Sequence, residues 1–133
     1  MMETIAKYTI KGNPATKKNS QRIVINRATG RPFIKPSDRF EQWQTDSAWF
    51  LRPVPRKPID EPVEITCIFF RESHVRCDLT NLLEAVDDLL VHEHIIQDDD
   101  FRHIVSHDGS RVYVDKENPR VEITIKRYNE NVK

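Results

Sequence analysis

The sequence predicts a single α+β domain in which two main helices pack on a mixed or antiparallel sheet. Strand-like alternation of apolar and polar residues occurs near both ends of the chain, and a leucine-rich helical pattern occupies residues 79–90. The predicted elements follow the order β-β-β-α-β-α-β-β. The length of 133 residues suits one domain, spanning residues 1–133, with one hydrophobic core.

The first half of the chain predicts three strands. In the first of them, Ala6, Tyr8 and Ile10 alternate with polar residues. The segments RIVIN at 22–26 and RPFIK at 31–35 are typical of two more strands, and the intervening RATG predicts a hairpin turn.

A first helix is predicted after Ser37, because serine is favoured at the position that caps a helix. Apolar residues then follow a helical stripe, formed by Phe40, Trp43, Phe50 and Leu51. Pro53 ends this run. Trp43 is expected in the core.

The second half predicts a strand at 63–70 (VEITCIFF), a long helix and further strands. The helix follows from the i, i+3, i+4, i+7 spacing of Leu79, Leu82, Leu83, Val86, Leu89 and Leu90. Strands are expected near 103–107 and at 120–127, where VEITIK alternates regularly. Asp108-Gly109 indicates a turn or bulge that leads into another strand.

Composition excludes several classes of protein. Three glycines and a clear apolar pattern argue against disorder and collagen. No apolar run approaches the roughly 18 residues of a membrane span, so we expect no membrane partner. The N-terminus has no signal-peptide architecture, and the two cysteines are expected to be reduced, buried thiols of a cytoplasmic protein.

The net charge is zero, but it is unevenly distributed. Residues 1–60 carry twelve Lys or Arg and five Asp or Glu, whereas residues 61–133 carry nine and sixteen. This asymmetry predicts a basic face for polyanions and an acidic face for cations, unless the two halves simply neutralise each other across the fold.

The acidic charge is concentrated between Cys77 and Asp100, a stretch with eight carboxylates and no Lys or Arg. Asp78 precedes the long helix and could simply cap it. Residues 98–100 are three aspartates that follow the helix, and a chain that turns back could bring them near the helix start. A divalent cation such as Mg²⁺ relieves the repulsion between such carboxylates, so this stretch predicts either a metal site or a solvated acidic turn.

The basic charge is concentrated between Lys11 and Arg39, where eight Lys or Arg accompany one acid, Asp38. Lys and Arg contacts to phosphates supply most of the affinity of non-specific nucleic-acid binding. A basic segment near an acidic metal site is the layout of a metal-dependent nuclease. The alternative is a solvated surface without function.

Two segments, DLTNLLEAVDDLL and IIQDDDFRHIV, resemble the RusA family of Holliday junction resolvases, which are common in phages and prophages. In that family an Asp-Leu-Asp-Asn-Leu segment opens a helix, a pair of aspartates follows, and a PRVEI-like strand closes the domain. GNPATKKNSQRIV and GRPFIKPS also resemble the family's N-terminal part, so the resemblance covers most of the chain.

The resemblance implies a RusA-like fold and an endodeoxyribonuclease of recombination and repair. It further implies a homodimer that binds four-way DNA junctions and nicks two strands symmetrically, with Mg²⁺ as the cofactor and Mn²⁺ as an alternative ion. The residues then expected to bind DNA are Lys17, Lys18, Asn19, Arg22, Arg31, Lys35, Arg76 and Arg111.

The resemblance also assigns the catalytic site. Asp78 matches the family's first metal carboxylate, and Asp99, 21 residues further on, matches its later essential aspartate, with Asp98 beside it. Thr80 stands where the motif has a second aspartate, and Glu84 stands where the family has a lysine. Glu84 lies one helical turn after Thr80, so we expect it to supply the missing negative charge, although it cannot replace a DNA-contacting lysine.

These departures leave other functions open. The chain could bind branched DNA with weak or no cleavage, or hydrolyse nucleotides with a metal. A zinc site at His103 and His107 would need a helix, whereas we predict a strand, in which the two rings lie too far apart to chelate easily. Trp43 and Trp49, on the predicted first helix, could stack on DNA bases rather than pack in the core.

Overall fold

The computed structural model of the protein describes residues 3–17, 22–35 and 38–128. Its elements confirm the predicted α+β class, and no helix within these ranges is long and apolar enough to cross a membrane. There are two helices and seven strands in the described chain: β1 (Glu3–Lys11), β2 (Arg22–Ile25), β3 (Pro32–Lys35), α1 (Asp38–Ser47), β4 (Val63–Arg71), α2 (Leu79–His92), β5 (Ile104–Ser106), β6 (Arg111–Val114) and β7 (Arg120–Arg127).

The main sheet is mixed, as the sequence predicts. Its strand order is β1-β7-β4-β5, and β6 also pairs with β4, beyond β5 along the same edge. β7 is antiparallel to both β1 and β4, whereas β5 and β6 run parallel to β4. β2 and β3 form a separate two-stranded hairpin, so they do not extend the main sheet.

One hydrophobic core lies between the sheet and the helices. The helical spacing of α2 buries one face, formed by Leu82, Ala85, Val86, Leu89 and Leu90. The sheet contributes alternate residues, such as Val121, Ile123 and Ile125 of β7. This core leaves the opposite face of α2, which carries the acidic residues, near or at the surface.

The first helix is shorter than the apolar stripe suggests. α1 ends at Ser47, and residues 48–51 form a 3-10 turn whose Leu51 is buried. Trp43 is buried, as predicted, whereas Trp49 is 76% exposed. The predicted capping residue Ser37 lies outside the described residues.

The way in which α2 ends sets the direction of the acidic segment at residues 98–100. His94 adopts a left-handed conformation with φ 62°, its N–H bonds the carbonyl of Val91, and the N–H of Ile95 bonds the carbonyl of Leu90. These two bonds form the Schellman motif that ends many helices. Ile95 and Ile96 then enter the core, and Ile96 pairs with Ile59, which fixes where residues 98–100 begin.

Candidate active site

Asp78 lies at the N-cap of α2, and its side chain does not cap the helix. Its backbone is extended, and its carbonyl accepts the N–H groups of Asn81 and Leu82 at 3.1 and 3.2 Å. The carboxylate makes no capping hydrogen bond. Helix capping therefore does not explain this exposed acid, which keeps its carboxylate available for another role.

The other predicted acids lie near the opposite end of α2. The backbone N–H of Asp99 donates to the Asp98 carboxylate at 2.7 Å. Partial burial raises the pKa of Asp99, and the neighbouring Asp98 and Asp88 raise it further. Asp88 is ten residues after Asp78, or about 15 Å along the helix axis, so one ion cannot contact both carboxylates.

Lys17 joins the basic segment to the acidic cluster, which consists of Asp88, Asp98 and Asp99. Its Nζ lies 2.5 Å from the Asp88 carboxylate and 5.6 Å from the centre of the Phe40 ring. The ion pair is partly exposed, with 35% of the Lys17 side chain and 25% of the Asp88 side chain accessible. The structure thus brings the two oppositely charged segments together at the C-terminal half of α2.

A half-buried pair that the sequence did not predict lies beside the cluster. His107 Nε2 is 2.8 Å from the Asp87 carboxylate, and Nδ1 is 2.8 Å from the carbonyl of Ile65. A carbonyl only accepts, so Nδ1 carries a proton. A second proton must lie between Nε2 and Asp87, because two bare acceptors would repel at this distance.

The pKa of Asp87 is raised, and the surroundings of its carboxyl group explain the shift. Burial raises the pKa of this carboxyl, His107 opposes the rise, and the charges of Asp99 and Asp88 add to it. The second oxygen, Oδ1, is buried and has no hydrogen-bond partner among the described residues. His107 therefore holds Asp87 in place beside the acidic cluster while one carboxylate oxygen stays unsatisfied.

Comparison with known protein families places the chain. A family model described as endodeoxyribonuclease RusA matches residues 9–126. The chain belongs to the RusA endodeoxyribonuclease family. This confirms the resemblance predicted from the sequence, and RusA membership implies the nuclease activity of Holliday junction resolvases. No curated protein matches the chain.

RusA nucleases generally depend on a divalent metal, which oxygen donors of the chain would hold. Within the described ranges, no group of three or more His, Cys, Asp or Glu side chains is placed to hold a metal ion. Asp88 and Asp99, which are close enough for the charge of Asp88 to raise the pKa of Asp99, match Mg²⁺ in donor type and number, because Mg²⁺ typically takes one or two carboxylates. The buried, unsatisfied Oδ1 of Asp87 is an additional oxygen near them.

The structure does not support the zinc alternative within the described part of this RusA-family chain. His103 and His107 flank the short strand β5, and their rings contact different carboxylates. His103 Nδ1 is 2.7 Å from Asp100 and Nε2 is 2.6 Å from Asp60. His103 therefore clamps the aspartate segment to the loop that precedes β4.

This clamp predicts a pH-dependent stability. The hydrogen bonds to Asp100 and Asp60 raise the pKa of His103, and the hydrogen bonds from His103 and Arg102 lower the pKa of Asp100. The His103 contribution is complete below the unfolded pKa of about 6.5 and is lost as pH rises through the higher folded pKa. We expect the urea midpoint to fall as pH rises above about 6.5, and His103→Gln to flatten that fall. An equal flattening in the control His92→Gln, an exposed histidine paired with Glu93, would contradict this assignment.

The predicted DNA-binding residues of this RusA-family chain are only partly described. Arg31, Arg76 and Arg111 are exposed, and Lys17 is engaged with Asp88. Arg22 and Lys35 lie on the β2–β3 hairpin, but their side chains are outside the described part. Lys18 and Asn19 also lie outside the described residues.

Proposed function

We propose that this chain is a Mg²⁺-dependent nuclease that acts as a homodimer and resolves four-way DNA junctions by symmetric nicking, with Mn²⁺ as an alternative ion. The observation that carries the proposal is the family match over residues 9–126, which includes Asp78 and Asp99. A closed dimer with two-fold symmetry would present one active site to each of two equivalent strands.

We propose that Asp98 and Asp99 would hold the metal at the far end of α2. Asp78, which the family motif also assigns to the metal, lies about 15 Å along the helix from Asp88 and would serve the reaction without contacting this ion. When bound, Mg²⁺ supplies a more acidic water and neutralises charge on the scissile phosphate. The proximity of Asp88 to Asp99 supports a site at the far end of α2, to which Asp88 would contribute. Asp87, held by His107, would position the neighbouring acids by fixing this part of the helix.

We propose that the basic segment between Lys11 and Arg39, together with Arg76 and Arg111, binds the DNA backbone. The excess of cations in this segment supports the proposal, because phosphate contacts need Lys and Arg. Lys17 could then form an ion pair with either of two anions, Asp88 or a DNA phosphate. Arrival of DNA would compete with Asp88 for this ammonium group.

Glu84 is proposed as a substitute for the aspartate that Thr80 replaces. It is exposed on α2, one turn after Thr80, and helical side chains lean towards the helix start. Glu84→Gln is expected to lower Mg²⁺-dependent nicking by about tenfold or more, as typical for disturbing the support of a metal. Thr80→Asp in the same chain is expected to restore activity. Undiminished nicking by Glu84→Gln at limiting Mg²⁺ would make Glu84 a bystander.

A junction cleavage assay tests the proposed function. We expect the chain to nick a synthetic four-way junction with Mg²⁺, to leave a linear duplex of the same sequence intact, and to lose nicking with EDTA. Thr80, in place of the motif's second aspartate, favours the alternative of a branched-DNA-binding module. Tight junction binding without any nicking would establish that alternative, and hydrolysis of mononucleotides in preference to DNA would contradict both.

A further inference from the structure

Two adjoining cavities lie at the start of α2, on the side of residues 71–77. The larger has a volume of about 480 Å³ and the smaller about 190 Å³. Both are lined by Arg71, Val75, Arg76 and Cys77, so they share one wall. The larger volume lies in the range of about 300–1,000 Å³ that is typical of small-molecule sites.

The smaller cavity is suited to an anion. Three arginines line it, Arg39, Arg71 and Arg76, and no carboxylate does. In the described part of the chain, none of the three forms an ion pair with an acid. One N–H of Arg71 donates to the carbonyl of Val75, but Nε is buried and has no acceptor there. A phosphate group would satisfy such donors.

The larger cavity has a different lining. Its far wall is the edge strand β6, whose Val112, Tyr113 and Val114 are 39%, 48% and 40% exposed. The Tyr113 ring stacks on Phe70, with ring centres 5.6 Å apart and an interplanar angle of 27°. This contact supports the ring from one side, and an exposed aromatic ring is a surface on which a nucleobase stacks.

We propose that the joined cavities form a subsite for one unpaired nucleotide of the DNA, with its phosphate among the three arginines and its base against Tyr113. Cationic hydrogen-bond donors on one side and an aromatic, apolar wall on the other match the two ends of a nucleotide. Cys77, which lines both cavities, directly precedes Asp78, so the bound nucleotide lies beside the start of α2. This inference rests on the proposed function only in taking DNA as the substrate.

The test is the binding of a four-nucleotide oligothymidine to the full chain in EDTA, where no cleavage can occur. We expect Tyr113→Ala to weaken this binding by at least about fivefold, the lower end of the loss of one base–aromatic stack. Arg76→Ala should reduce the slope of log affinity against log salt by about 0.7, the single-strand value for one phosphate contact. Arg56→Ala, which removes an exposed cation outside both cavities, should bind like the parent.

Two results would overturn the subsite. One is an unchanged oligothymidine affinity in both Tyr113→Ala and Arg76→Ala. The other is a Tyr113→Ala chain that sediments as a monomer while the parent is a dimer, with unchanged oligothymidine affinity, which would make β6 a contact between two copies. Junction nicking without these binding losses would contradict the subsite alone, whereas the losses without junction nicking would contradict the proposed function alone.

Discussion

Asp99→Asn is expected to lower Mg²⁺-dependent junction nicking by at least about a hundredfold, the cost typical of removing one electrostatic contribution to a transition state. Junction binding should stay equal or become tighter, because a negative charge near the DNA is removed. Asp78→Asn should behave in the same way. Nicking is measured under single-turnover conditions and binding in Ca²⁺ or EDTA, with Asp46→Asn, an exposed acid on α1, as the control.

Asp88→Asn sharpens this first experiment, because Asp88 lies beside Asp99 and far along α2 from Asp78. Loss of nicking in Asp99→Asn and Asp88→Asn, with normal nicking in Asp78→Asn, would locate the metal at the C-terminal half of the helix and remove Asp78 from the assignment. If Asp78→Asn and Asp99→Asn both cut like the parent, the whole assignment is wrong.

His107→Ala is expected to lower the free energy of unfolding by about 2–3 kcal/mol. Removing one partner of a fully buried ion pair typically costs about 3–5 kcal/mol, and this pair is less than fully buried, with 23% of His107 and 16% of Asp87 accessible. The loss arises because the Asp87 carboxyl would remain in the interior without its partner. Urea unfolding at pH 7 measures the change, and His92→Ala is the matched surface control.

A double-mutant cycle separates this pair from the packing of the ring. Asp87→Ala in the His107→Ala background should cost clearly less than Asp87→Ala in the parent, since residues in contact are not additive. Equal costs in the two backgrounds would show that the two side chains do not stabilise each other. His107→Ala should also slow nicking in the folded chain, whereas a purely structural role would leave the rate of the folded fraction unchanged.

The sequence predicted the regular elements best where a pattern is local. The spacing of the leucines determines α2, and the alternation of VEITIK determines β7, because each depends only on which face is buried. Pairing between strands is not local. The sequence therefore did not reveal that β2 and β3 stand apart from the main sheet, or that β5 and β6 share one edge of β4.

The same distinction applies to the candidate site. The motif identified Asp78 and Asp99 by type and spacing, but it could not show that Asp99 lies near Asp88. Asp87 and His107 are 20 residues apart and meet only because β5 runs beside β4 and brings His107 to the carbonyl of Ile65. No single segment carries a signal for that contact, and the ion pair of Lys17 with Asp88 was missed for the same reason.

The two cysteines differ in a way that gives the chain a natural reporter position. Cys67 is fully buried, and burial together with the Asp87 charge raises the pKa of its thiol, so it stays protonated and shielded. Cys77 is only half-buried, which corrects the expectation of two buried thiols. Burial also raises the pKa of the Cys77 thiol, so a maleimide added at mildly alkaline pH would attach next to Asp78 in preference to the shielded Cys67. Because Cys77 lines both cavities, a ligand bound there would slow this labelling, and the labelling rate would report occupancy at the start of α2.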